Sequence, residues 1–165
     1  MRYQGVDIVD KAKKQDFTMR MTQANRTQLI VVIYDVFLEY MKDAQEAVDR
    51  GNIPAFRQAI SNAQPVISEL ISVLDFKYPI ARELFRIYRY CNECLAAALI
   101  SNDPARLDSA VKAIEKLRKA FYEISLKDDS PVLMQNSQKV YAGLTYGRTD
   151  VNETMEEQST RGFFI

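Results

Sequence analysis

The chain has 165 residues, of which 22 are basic and 22 acidic, and it contains no histidine. Balanced charge lacks the electrostatic footprint of a general nucleic-acid binder, and the absence of imidazole removes the commonest proton shuttle and metal ligand. Hydrophobic residues make up 47% of the sequence, which is enough for a packed core. The composition therefore favours a single domain that binds a partner over an enzyme.

Glycine is absent between Gly51 and Gly143. Since glycine allows sharp turns and close backbone approach, its absence from so long a stretch indicates uninterrupted helix. The first twenty residues mix acidic and basic side chains and show no apolar signal core. The most apolar run, Leu29–Tyr34, is followed at once by Asp35 and is too short to span a bilayer. We expect a soluble, cytoplasmic protein.

Residues 1–24 form an N-terminal segment with only a weak amphipathic pattern. The first predicted helix follows Asn25, a suitable capping residue, with Gln28 placed to complete a capping box. Its apolar residues fall on two neighbouring rows, which makes the apolar arc unusually broad. The helix is predicted to end near Arg50, where Gly51 can adopt a left-handed cap.

Three more helices are predicted, joined by short connectors. The second covers residues 52–74, and Pro65 inside it predicts either a kink or a break into two shorter helices. The third begins at Pro79 and ends before Pro104, after which the fourth begins. Short connectors make successive helices antiparallel, so residues 25–126 are predicted to form an all-α, up-down-up-down four-helix bundle.

Cys91 and Cys94 form the one string that resembles a chemical motif. A zinc site would need a second cysteine pair or histidines, and a reactive cysteine favours a helix N-terminus, whereas these lie in mid-helix. We interpret them as small packing residues. Other nucleophiles lack a recognisable base or oxyanion partner. The sequence predicts no enzyme activity, no metal and no cofactor.

Three arginines, Arg82, Arg86 and Arg89, form a row on the third predicted helix. A clamp for phosphate or carboxylate is one interpretation of this row. A solvated face on which the arginines pair with Glu83 and Glu93 is the interpretation that we favour, because charge rows on helices usually serve that purpose.

Aromatic residues are concentrated on the first and third predicted helices. Core packing explains part of this excess, but Tyr34, Tyr88 and Tyr90 are not expected to face one bundle axis together. Tyrosines on a second apolar face are typical of a groove for a partner helix. We expect aspartate at Tyr34 or Tyr88 to weaken partner binding more than it destabilises the bundle. The predicted partner-binding residues are Ile30, Tyr34, Phe37, Met41, Tyr88 and Tyr90.

Three helical stretches, taken in order, have a familiar pattern. Residues 27–48 read TQLIVVIYDVFLEYMKDAQEAV, residues 83–103 read ELFRIYRYCNECLAAALISND, and residues 107–121 read LDSAVKAIEKLRKAF. Over residues 17–125 the chain resembles the flagellin export chaperone family, FliS. In this resemblance Tyr34 matches the tyrosine of the family's first helix, and Phe121 stands where the family frequently has tryptophan.

The resemblance implies a cytoplasmic chaperone that binds the disordered C-terminal segment of newly made flagellin. Such a chaperone prevents premature polymerisation and delivers its client to the flagellar type III export apparatus, whose gate protein FlhA is a second implied partner. We expect a monomer or weak homodimer without nucleic acid and without membrane insertion. The alternative is a helical adaptor or secretion chaperone with a different protein client.

Residues 127–165 are predicted to form an irregular, partly flexible extension. Its apolar positions Leu133, Val140, Tyr141 and Leu144 lie in a run that loosely resembles the terminal segment of flagellins. One hypothesis is that this tail occupies the client groove of its own or a neighbouring molecule until flagellin displaces it. The other is an ordinary extension that packs over the bundle. Deleting residues 128–165 distinguishes the two, because self-occlusion requires tighter flagellin binding after the deletion.

Overall fold

A computed structural model describes residues 4–134, with side chains described from residue 11 onward. This part of the chain contains five α-helices, a short 3-10 turn and no β-strand, which confirms the all-helical class. All five helices belong to the first of the chain's two compact units, Met1–Leu133. The helices are α1 (Gln4–Thr22), α2 (Arg26–Asp49), α3 (Ile53–Ser72), α4 (Pro79–Ser101) and α5 (Asp108–Ser125), and the turn is Pro104–Leu107.

The helix α1 forms where the sequence shows only a weak amphipathic pattern. It packs against α2, and ion pairs hold it there: Lys13 pairs with Glu39, and Arg20 pairs with Asp35. Helical periodicity in a sequence detects an apolar stripe. Ion pairs contribute to the attachment of α1, and such pairs leave no apolar stripe in its sequence. The remaining four helices, α2–α5, correspond to the four that the sequence predicts.

Both ends of α2 follow the predicted chemistry. The Asn25 side chain accepts a hydrogen bond from the Gln28 backbone N–H at 2.8 Å, and the Gln28 side chain accepts one from the Asn25 N–H at 3.0 Å. At the other end Gly51 has a φ of 66°. The N–H groups of Gly51 and Asn52 then reach back to the carbonyls of Val48 and Ala47, each at 2.8 Å. This pair of bonds is a Schellman motif, which satisfies carbonyls at the end of the helix.

The helix α3 continues through Pro65 without interruption from Ile53 to Ser72. The predicted alternative of two shorter helices is therefore wrong. The side chain of Asn52 caps its start by accepting a hydrogen bond from the Ala55 N–H at 3.1 Å. The end of α4 is marked by Asn102, whose φ of 51° places it in the left-handed region before Pro104.

Four of the helices surround one apolar core. α2 packs against α3 and α5, and α4 packs against the same two helices. Near the start of α3, the Arg57 guanidinium donates to the Leu99 carbonyl near the end of α4 at 2.6 Å. Among residues 4–134, no helix is long and apolar enough to cross a membrane. The largest fully buried side chains are Tyr34, Tyr88, Phe37, Phe56, Ile60, Ile67, Leu95, Ile114 and Cys91.

Candidate partner-binding surface

Two tyrosines meet at the centre of this core. The hydroxyls of Tyr34 on α2 and Tyr88 on α4 are hydrogen-bonded to each other. The ring of Tyr34 also meets the edge of Phe121 on α5, with the centroids 5.7 Å apart. Burial raises the pKa of both phenols above its ordinary value, so both remain protonated at neutral pH. Through these contacts Tyr34, Tyr88 and Phe121 connect α2, α4 and α5 within the core.

Four of the predicted partner-binding residues lie in the core and not on a second apolar face. Tyr34 and Phe37 are 0% exposed, Met41 is 5% exposed and Tyr88 is 2% exposed. Tyr34, Phe37 and Met41 are buried because α2 packs against three helices, α1, α3 and α5. Tyr88 is buried on the inner face of α4, where its hydroxyl meets that of Tyr34. A helix with three neighbours needs a broad apolar arc simply to bury its contacts, so the width of the arc does not indicate a vacant groove. Partners reach these four side chains only if the core opens.

The other two predicted residues are accessible. Ile30 is half-buried, and Tyr90 exposes 48% of its surface. Of the apolar tail positions, Leu133 exposes 47% of its surface, and its backbone N–H donates to the Ala24 carbonyl at 3.1 Å. Val140, Tyr141 and Leu144 lie outside the described residues.

Tyr90 belongs to a group of three aromatic side chains, of which Phe76 and Tyr90 are exposed and Phe85 is half-buried. We call it the α4 aromatic surface and define it by Phe76, Phe85 and Tyr90. The rings of Phe76 and Phe85 pack edge to face with centroids 5.8 Å apart, and Phe76 exposes 51% of its surface. Phe85 and Tyr90 share a shallow cleft of about 360 Å³. Apolar patches of this kind on a folded monomer typically mark interaction sites.

Neighbouring apolar residues are exposed as well. Val73 follows the last residue of α3, Tyr78 directly precedes α4, and Ile80 lies in the first turn of α4. All three side chains are exposed. The helical pattern predicts Ile80 on the inner face, but a side chain in a first turn has few neighbours to cover it. Phe76 and Tyr78 lie in the connector between α3 and α4, where periodicity carries no information. The presence of two large aromatic residues in so short a connector was the one sequence signal that could have indicated this exposed surface.

Charged residues form the rim of the α4 cleft, whose lining includes Arg86, Arg89 and Glu93. The predicted pairing is confirmed for two of the three arginines in the row, since Arg86 pairs with Glu83 at 3.2 Å and Arg89 pairs with Glu93 at 3.1 Å. Exposed pairs of this kind contribute about 0–1 kcal/mol each. The rim charges can therefore exchange their partners at little cost when another chain binds.

The two cysteines are free thiols. Cys91 is fully buried, and burial raises the pKa of its thiol to about 12. A thiol with such a pKa stays protonated at neutral pH, which is the reverse of what a nucleophilic cysteine requires. Within residues 11–134, no group of three or more histidine, cysteine, aspartate or glutamate side chains is arranged to hold a metal ion.

Ion pairs connect α1 to α2. Asp35 on α2 lies between Arg20 of α1 and Arg118 of α5 and pairs with both. Lys13 of α1 pairs with Glu39 and, at 3.8 Å, with Asp43. Lys13, Arg20, Asp35, Glu39 and Arg118 line a cleft of about 610 Å³ between the helices, so apolar packing beneath α1 is incomplete.

Salt is expected to loosen α1 selectively. Raising the ionic strength from about 0.1 M to about 1 M shortens the screening length from roughly 10 Å to roughly 3 Å, which weakens partly exposed pairs such as Lys13–Glu39. Hydrogen exchange of the α1 amides should then accelerate while the amides of α2 keep their protection. Lys13→Ala should mimic this effect at low salt. Lys42→Ala is the matched control, because Lys42 pairs with the same Glu39 from within α2.

The same contact gives α1 a defined pH dependence. The hydrogen bond with Lys13 lowers the pKa of Glu39, and that with Glu39 raises the pKa of Lys13. The contribution of Glu39 is therefore present above its ordinary pKa and is lost as pH falls through the lowered value. That of Lys13 is present below its ordinary pKa and is lost as pH rises through the raised value. Equal protection of the α1 amides, relative to their intrinsic exchange rate under each condition, at high salt, at acidic pH and at neutral pH in low salt would contradict this account.

The described residues thus form an all-helical protein with one apolar core and exposed aromatic side chains at the start and middle of α4. The sequence matches the family described as Flagellar protein FliS over residues 9–128, and the chain belongs to this family. A curated relative, the Flagellar secretion chaperone FliS of Vibrio cholerae serotype O1, is 24% identical over 114 residues. The matched region covers 68% of this chain and 84% of that relative. The resemblance seen in the three helical stretches is thus confirmed, and the family match also includes most of α1.

Proposed function

We propose that this protein is a cytoplasmic chaperone of flagellar export that binds the disordered C-terminal segment of flagellin. Binding keeps flagellin from polymerising early and delivers it to the type III export apparatus, with FlhA as the partner at the export gate. The observation that carries the proposal is the family match, which spans all of α2–α5. The Vibrio relative, named as a flagellar secretion chaperone, supports the same role.

The four helices α2–α5 support this role as an antiparallel, up-down-up-down bundle. Arg57 near the start of α3 bonds to Leu99 near the end of α4, and Thr27 in the first turn of α2 bonds to Asp128 just beyond the end of α5. Each contact favours opposite chain directions for its two helices. The connector between α2 and α3, residues 50–52, is short enough to impose the same relation on them.

The α4 aromatic surface is the proposed contact for the client, together with the half-buried Ile30 of α2. A segment that folds on binding gains roughly 25 cal/mol for each Å² of apolar surface removed from water. Ordering that segment costs about 2–5 kcal/mol, so a few well-placed anchors must provide most of the affinity. Phe76, Phe85 and Tyr90 are suitable anchors because aromatic rings bury a large area with few rotatable bonds. Tyr34, Phe37, Met41 and Tyr88 contribute indirectly by fixing α2 and α4 from within.

Polymerisation of purified flagellin tests the proposal. Added protein should suppress filament growth in proportion to its concentration, with complete suppression near one molecule for each flagellin. A matched flagellin variant without its C-terminal segment should fail to bind. Failure to bind flagellin, with retention of a different flagellar export client from the same cells, would instead support the alternative of an adaptor with another partner.

A further inference from the structure

The chain that leaves α5 is bonded to the connector between α1 and α2. The Asn25 side-chain amide donates to the Asp128 carbonyl at 2.8 Å, and the Thr27 hydroxyl donates to the Asp128 carboxylate. Five residues further on, the Leu133 N–H donates to the Ala24 carbonyl at 3.1 Å. We call this set of contacts the exit junction and define it by Ala24, Asn25, Thr27, Asp128 and Leu133.

Asn25 has two separate tasks at the exit junction. Its side-chain oxygen caps α2 by accepting from the Gln28 N–H, while its side-chain nitrogen holds Asp128. The residue is only 3% exposed, and buried polar groups of this kind are costly to leave without partners. Because the two tasks use different atoms of one side chain, a substitution can remove one task and keep the other.

Ala24 connects the exit junction directly to α1. Its N–H donates to the Met21 carbonyl in the last turn of α1 at 3.4 Å, and its carbonyl accepts from Leu133. The peptide group before Ala24 therefore bonds to α1, and the peptide group after Ala24 bonds to the chain beyond α5. The orientation of α1 on α2 depends on this same connector, which is only three residues long.

We propose that the exit junction couples the docking of α1 to the position of residues 128–133, so that loosening either one loosens the other. Both depend on the connector residues Ala24 and Asn25, through the backbone of the first and the side chain of the second, and a coupling free energy between two sites is reciprocal. When residues 128–133 move, the exit junction thus passes the displacement through the connector to α1. The family match ends at Asp128, the residue that closes the junction, and residues 129–165 continue beyond it.

Hydrogen exchange of the full chain tests the coupling in one direction. Asn25→Ser keeps an oxygen for the α2 cap but removes the donor to Asp128, and Thr27→Val removes the hydroxyl with little change of shape. In both variants exchange should accelerate about fivefold or more in α1 as well as in residues 128–133, while α3 and α4 stay unchanged. Asn52→Ser is the matched control, since Asn52 caps α3 through the same atom type and has no contact with the exit junction among the described residues.

The reverse direction uses Lys13→Ala, which weakens α1 at Glu39 and Asp43, away from the exit junction. Exchange in residues 128–133 should rise together with exchange in α1. The proposal is overturned if either perturbation affects only its own side. It is equally overturned if Asn25→Ser and Thr27→Val accelerate all five helices alike, because the bonds would then act on global stability alone.

Discussion

Tyr34→Asp is expected to lower the free energy of unfolding by more than about 4 kcal/mol, or to prevent folding altogether. Tyr34 is fully buried, and its hydroxyl bonds to Tyr88. The substitution removes a large aromatic side chain from the core, which alone costs about 3–5 kcal/mol, and it leaves a carboxyl group without a charged partner in an apolar setting. Chemical denaturation followed by circular dichroism measures the effect.

Conservative variants separate the hydroxyl pair from the packing. Tyr34→Phe should destabilise by about 1–3 kcal/mol, because the buried hydroxyl of Tyr88 loses its partner. Tyr88→Phe should have a similar effect, whereas the double variant should be less destabilised than the sum, since replacing both hydroxyls leaves no buried donor unpaired. A Tyr34→Asp protein that stays as stable as the wild type and loses only partner binding would show that Tyr34 faces a groove, as the sequence suggested.

Tyr90→Asp is expected to weaken flagellin binding about 30-fold, which corresponds to the roughly 2 kcal/mol of an interface hot spot. Tyr90 exposes 48% of its surface and lines the α4 cleft with Phe85, so aspartate removes an anchor and places charge on the apolar patch. The free energy of unfolding should change by no more than about 0.5 kcal/mol, because the side chain is exposed. Titration of flagellin against both proteins measures the difference.

Tyr122→Asp is the matched control for Tyr90→Asp. Tyr122 exposes 47% of its surface, almost the same fraction, but lies on α5, where the Arg118 guanidinium sits 6.0 Å from its ring centre. Flagellin affinity should stay within about twofold of the wild type, since rim and non-contact positions contribute little. Equal losses in the two variants would place the client contact elsewhere than the α4 aromatic surface.

Local chemistry made the helix ends predictable. The capping box at Asn25, the left-handed Gly51 and the stop before Pro104 all depend on residues within one turn of each other, and each is present in the structure. The α1 helix shows the opposite case. Its attachment depends on Lys13 and Arg20 reaching charges on another helix, and no periodicity in its own sequence reports such a contact.

The site was harder to predict than the fold. Apolar spacing gives the width of the apolar face on α2, but not the number of helices that cover it. Three helices pack against α2, and Tyr34 and Phe37 are fully buried in the core. The sequence places Tyr90 on a second apolar face, and the side chain is exposed. Phe76 was missed because a connector has no regular spacing from which its contact with Phe85 could be inferred.

Calorimetric titration of the 165-residue chain with a peptide covering the C-terminal segment of its cognate flagellin tests the central claim most directly. We predict saturable binding with a large negative heat-capacity change, because a disordered segment buries apolar surface as it orders. The heat should be strongly reduced in Tyr90→Asp and retained in Tyr122→Asp. Absence of binding to this peptide by a folded wild-type protein would contradict the account.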